Sequence, residues 1–154
     1  MDDHHYLARA VELAGQARER GDHPFGAVLV TADGVIVEAM NSVTTSGDPT
    51  GHAETNLVRL AAQRVDAAAL PGSTLYTSTE PCAMCAGAIF WSGIGRMVFA
   101  LSGHALVELV QGVGGSFTLD LPSREVFARG DHTVEVSGPV EVAGAVEVHE
   151  GMWG

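Results

Sequence analysis

Apolar residues at Leu7, Ala10, Val11, Ala14 and Ala17 recur at helical spacing, and Gly21 supplies a stop, which predicts a first helix with one buried face. Ala27, Val28, Leu29 and Val30 form an unbroken apolar run, so residues 26–31 read as a buried strand. Asp33-Gly34 is a hairpin turn signal, and residues 35–39 are the return strand. Residues 41–51 are polar and rich in turn formers, the pattern of a loop. Leu57, Leu60 and Ala61 fall on one side of a helix predicted over 52–64. Pro71-Gly72 marks a turn before a third strand, 73–78, which contains Leu75 and Tyr76. Pro81 suits a helix start, where its missing N–H costs nothing, and the third helix covers 82–91. Residues 97–100 and 133–136 read as the fourth and fifth strands, and 140–148 as a short helix. Gly112, Gly114, Gly115 and Pro122 break any period across 112–129, so that stretch carries no assignment. Helices alternate with strands, which argues for an α/β sandwich, and the early hairpin makes its sheet mixed.

Composition sharpens this picture in three ways. At 154 residues the chain is long enough for one domain, 1–154, and 46% hydrophobic against 18% charged residues excludes wholesale disorder. The net charge is −11, and all eight cations are arginine with no lysine, whereas the phosphate backbone of nucleic acids rewards clustered Lys and Arg. A nucleic-acid partner therefore fits poorly and a small or neutral ligand fits better. Two cysteines are too few for a disulfide scaffold. No apolar stretch follows Met1-Asp2-Asp3-His4-His5, and no run reaches the roughly 18–20 residues of a membrane span. The expectation is a soluble cytoplasmic protein with reduced thiols and no membrane partner.

Candidate chemistry lies in His52-Ala53-Glu54 and in Pro81-Cys82-Ala83-Met84-Cys85. One imidazole and two thiolates are ligands that zinc prefers, and three protein ligands leave a position for water, as in a catalytic site. Cys82 and Cys85, three residues apart, can face one point from the first turn of a helix, whose N-terminus favours their negative charge. Glu54 stands close enough to hydrogen-bond the water without ligating the metal. Bound zinc lowers the pKa of water to about 7, and a neighbouring carboxylate can take a proton and return it to a leaving group. A Cys-x-x-Cys pair alone also suits a redox couple or half of a zinc finger. A redox pair has no need of His52 and Glu54, and a finger lacks its fourth ligand, because neither another cysteine nor a histidine at ligand spacing exists.

The pattern His-x-Glu followed by Pro-Cys-x-x-Cys is the signature of zinc deaminases. The sequence resembles the cytidine deaminase-like superfamily in its purine-acting branch. The likeness is carried by Pro24-Phe25-Gly26-Ala27-Val28, Asn41, Asp48-Pro49-Thr50-Gly51-His52-Ala53-Glu54 and Glu80-Pro81-Cys82-Ala83-Met84-Cys85-Ala86-Gly87-Ala88-Ile89, with a weaker Ile94-Gly95-Arg96-Met97-Val98-Phe99. It is specific to about residue 100 and fades beyond. It implies a three-layer α/β/α sandwich around a five-stranded mixed sheet, usually as a homodimer. It assigns His52, Cys82 and Cys85 to zinc and Glu54 to proton transfer. It also implies that Asn41 bonds the substrate ring, that the Ala53 N–H faces the base, and that Phe25 forms part of the pocket.

Guanine deaminases and bacterial tRNA adenosine deaminases share these motifs. The acidic, lysine-free composition favours a free purine-type base, guanine or a related aminoheterocycle, over tRNA. The tail Val148-His149-Glu150-Gly151-Met152-Trp153-Gly154 is not a basic terminal helix. In guanine deaminases the C-terminal segment closes over the pocket, and His149, Glu150 and Trp153 suit that task, with Glu150 and Trp153 as base contacts. Phe90-Trp91 resembles an aromatic pair of guanine deaminases and is read as core or interface packing. The alternatives are wobble-adenosine deamination in tRNA and a non-catalytic zinc-stabilised binding module, for which Glu54 would have no use.

Overall fold

The computed structural model describes residues 2–110 and 117–153. Five strands, β1 (Gly26–Val30), β2 (Ile36–Met40), β3 (Thr74–Thr79), β4 (Arg96–Leu101) and β5 (Glu135–Ser137), form one sheet in the order β2-β1-β3-β4-β5. β1 pairs antiparallel with both β2 and β3, while β3–β4 and β4–β5 are parallel, so the sheet is mixed. The two-residue period of the strands sorts the core into two layers. Ala27, Leu29, Leu75, Met97 and Phe99 face one side, where they meet Leu57 and Ala61 of α3 (Ala53–Arg64), Ala86 and Ile89 of α4 (Ala83–Ser92) and Phe127 of α6 (Ser123–Ala128). Val28, Val30, Tyr76, Val98 and Ala100 face the other, against Leu7, Ala10, Val11 and Leu13 of α1 (Asp3–Glu19). The result is a three-layer α/β/α sandwich.

Gly26 shows how close these layers come. A Cβ there would run into the Ala10 carbonyl and stand 2.6 Å from Leu13 Cβ. α1 therefore lies directly on β1 only because position 26 has no side chain.

Several elements differ from the sequence pattern. The predicted loop 41–51 holds a single turn, α2 (Val43–Ser46). The predicted helix 140–148 is absent: Gly144 adopts φ +90, and only Glu147–His149 form a 3₁₀ turn. The valines that suggest a helix instead lay an irregular segment along α1, with Val142 and Ala145 buried. The pattern also gives no element at α5 (Gly103–Val110), where only Val110 is buried, or at α6. Gly112, Gly114 and Gly115 lie outside the described residues. α6 begins just after Pro122, and the Glu80 carboxylate explains both helix starts. It accepts from the Gly103 N–H at 3.0 Å, the Ser123 N–H at 2.9 Å and the Ser123 hydroxyl at 2.6 Å. Among the described residues, no helix is long and apolar enough to cross a membrane.

Candidate active site

β2 and β3 run in the same direction on either side of β1, and the chain leaves both at the same edge of the sheet. The N-termini of α3 and α4 open there, which is where open α/β sheets bind ligands. His52 is the N-cap of α3, Cys82 is the N-cap of α4, and Cys85 sits in the first turn of α4. The three ligand atoms lie within 4.8 Å of one another, and each sulfur is 3.6 Å from His52 Nδ1. A tetrahedral zinc with Zn–N about 2.05 Å and Zn–S about 2.3 Å holds nitrogen and sulfur about 3.6 Å apart, so these residues fit the ion. Thr55 Oγ1 lies 3.1 Å from Cys85 Sγ and steadies that ligand from behind.

The electrostatics suit a metal. Hydrogen bonding with Cys85 and His52 outweighs burial and draws the Cys82 thiol well below its ordinary range. Cys85, facing that charge from a buried position, is pushed up. The hydrogen bond with Cys82 raises His52 against the effect of burial. Glu54, in the first turn of α3, is 5% exposed. Burial first, and the Cys82 charge second, push its carboxyl up to about 7, against the pull of His52. A carboxyl in that range can both hold and release a proton at neutral pH.

A cavity of about 590 Å³ opens at the cluster, walled by His52, Cys82, Phe25, His23 and Trp153 on one side and by α5 and residues 117–122 on the other. A second hollow of about 450 Å³, beside α6, contains none of the chemical groups. Phe25 and Trp153, both expected at the site, line the larger cavity with ring centroids 6.3 Å apart. Asn41 is buried behind this wall. Its Oδ1 accepts from the Val43 N–H at 3.0 Å, and its own N–H donates to the Phe25 carbonyl at 3.0 Å. Ala53 is the fully buried first residue of α3. Glu150 is not brought to the cavity: its side chain is exposed beyond the 3₁₀ turn and outside the lining. Trp91 is 85% exposed, and Phe90 stacks on His132 at 4.1 Å, so the Phe90-Trp91 pair stands away from the cavity.

Among the wall residues to which the sequence assigned no role are Glu80 and His23. Glu80 joins the cavity lining while capping two helices, and His23 joins it from the turn before β1. His23 directly precedes Pro24-Phe25-Gly26, and that adjacency is the one signal that could have found it. His149 is 3% exposed and accepts from the Trp153 indole N–H through Nδ1 at 3.0 Å, which fixes the tail against the wall.

Residues 1–101 match the model of the cytidine and deoxycytidylate deaminase zinc-binding region. The chain belongs to this deaminase family. A probable cytosine deaminase of Schizosaccharomyces pombe is 47% identical over 150 residues, covering 96% of this chain and 90% of that protein. A tRNA-specific adenosine deaminase of Haemophilus influenzae is 44% identical over 103 residues, 66% of this chain and 60% of that one. The solved guanine deaminase of Bacillus subtilis superposes with a TM-score of 0.65 at 35% identity, covering 79% of this chain and 83% of that one. The deaminase is thus a hydrolase of C–N bonds in nucleobases or nucleosides, of a zinc-binding family, and His52, Cys82 and Cys85 are a cluster that could hold the metal.

Proposed function

We propose that this deaminase acts on a free nucleobase of purine type, guanine or a related aminoheterocycle, as a single-domain cytoplasmic enzyme. The observation that carries the reading is the position of Trp153. The tail brings its indole to the cavity wall beside His52 and Phe25, leaving a space bounded by aromatic faces. The net charge of −11 with no lysine supports a small ligand over a polynucleotide.

The bound metal supplies a Lewis acid that makes water nucleophilic at neutral pH. The protein does the rest. Glu54 would take one proton from the water as its oxygen bonds the amine-bearing carbon and pass that proton to the adjacent ring nitrogen, then take the second proton of the same oxygen and give it to the departing amine. The C–N bond breaks, ammonia leaves and a carbonyl remains. Phe25 packs on the base. The Asn41 amide Nδ2, which has no hydrogen-bond partner among the described residues, and the Ala53 N–H at the start of α3 are the polar groups that orient it. A homodimer belongs to the same reading, because Trp91 on α4 is the kind of exposed aromatic a second copy covers.

Cytosine is the second reading, favoured by the S. pombe relative, whose match runs through 96% of the chain. Ammonia release measured across guanine, other aminopurines and cytosine separates the two. The purine reading predicts the highest kcat/KM on a purine, and a preference for cytosine overturns it.

A further inference from the structure

His23 belongs to the cavity wall, yet neither the metal ligands nor the proton shuttle accounts for it. Its ring centroid lies 5.2 Å from that of Trp153, and both side chains line the cavity with His52 and Phe25. The backbone beneath it is fixed on both sides. Asp22 is fully buried and accepts from the Thr44 N–H at 3.0 Å, the Thr45 N–H at 2.9 Å and the Thr45 hydroxyl at 2.8 Å, while Arg20 donates to it at 2.7 Å. On the other side, Pro24 is buried and the Phe25 N–H donates to the His23 carbonyl at 2.9 Å. The imidazole is therefore presented from rigid backbone.

Its half-buried ring makes no side-chain hydrogen bond to any other described residue. A neutral imidazole carries one donor and one acceptor, and a group placed at a cavity wall with both unused is available to a ligand. His149, the other histidine of this aromatic cluster, is different. Its Nδ1 is engaged by Trp153 and its side chain is outside the cavity lining, so it holds the tail and does not face the base.

We infer that His23 is a specificity-determining residue, whose free ring nitrogen hydrogen-bonds a heteroatom on the edge of the base while Phe25 and Trp153 hold the ring. The inference rests on the reading of the substrate as a free nucleobase. A site that hydrogen-bonds its substrate discriminates strongly, because an analogue lacking the matching group leaves the site's polar atom unpaired.

The test compares wild type, His23→Phe and His23→Gln, each checked for zinc content and unfolding midpoint, on a panel of free bases with ammonia release as the readout. Phenylalanine keeps a ring against Trp153 but has no hydrogen bond to offer, whereas glutamine offers both a donor and an acceptor. His23→Phe is expected to raise KM for the preferred base about ten-fold, change kcat by less than about three-fold, and compress the ranking of bases. His23→Gln is expected to recover most of the KM and the ranking. A wild-type KM and ranking in His23→Phe overturns the inference and leaves the free-base reading standing, as does equal impairment of the two zinc-loaded variants. A wild-type enzyme that releases ammonia from no free base overturns both.

Discussion

At the scale of single residues, the proposed mechanism divides metal binding from proton transfer. His52, Cys82 and Cys85 reach one point from two helix N-termini, whereas Glu54 lies two positions past the histidine and is not part of the three-residue cluster. The two groups of variants must therefore fail differently. Cys82→Ala and Cys85→Ala each remove one of three ligands and are expected to lose the zinc, which metal analysis of the purified proteins reads directly. Glu54→Gln keeps every ligand and nearly the same volume. It should retain about one zinc per chain and its fold while kcat falls by about 10²–10⁴, the span of general acid–base catalysis. Near-normal turnover in Glu54→Gln would remove the shuttle role. The clustering of His52, Cys82 and Cys85, with Glu54 beside them, was legible in the sequence because zinc chemistry demands fixed residue types at fixed spacing. His23 was not, since an isolated histidine before a strand carries no spacing signal until the fold sets Trp153 beside it.

At the scale of elements, the parts read correctly were those whose burial imposes a period. β1, β3 and β4 are buried along nearly their whole length; β1 and β4 are visible as apolar runs, and β3 as Leu75-Tyr76 following the Pro71-Gly72 turn. α5 and α6 were not, because what starts them is remote. Glu80, more than twenty residues before one and forty before the other, supplies the acceptor that each first turn needs. The false helix at 140–148 has the opposite cause: its valines follow the surface of α1, and Gly144 in the left-handed region breaks the helical path. The Glu80 clamp makes a prediction. Glu80→Ala leaves the Gly103 and Ser123 N–H groups without their acceptor and is expected to cost about 2–4 kcal/mol of unfolding free energy. Zinc content should stay close to wild type, because none of the three ligands bonds to Glu80. Denaturant unfolding of the metal-loaded protein measures the cost, and an unchanged midpoint would show that the clamp holds nothing.

At the scale of the whole molecule, the tail joins the first helix and the site into one unit. Arg18 of α1 donates to the Val148 carbonyl at 2.8 Å, His149 is buried beside Phe25, and Trp153 reaches the cavity. Burial, and next the nearby Arg18, lower the His149 imidazole to about 4, from 6.5 in the open chain. Between those values the unfolded chain binds a proton that the folded one refuses, so the contribution of His149 is complete above pH 6.5 and declines as the pH falls toward 4. Going from pH 7 to pH 5 should cost about 2 kcal/mol through this residue. His149→Gln should flatten that part of the pH–stability curve, and an identical curve would mean that the histidine is solvated. The docked tail, the aromatic wall and the acidic, lysine-free composition together favour a free base over a polynucleotide as the substrate. The most direct measurement offers the zinc-loaded enzyme free bases, nucleosides and an anticodon stem-loop RNA at physiological salt, and follows ammonia and base conversion in each. A free-base enzyme releases ammonia from a free base and leaves the RNA unreacted. Efficient deamination of the stem-loop with no ammonia from any base or nucleoside would contradict the free-base reading.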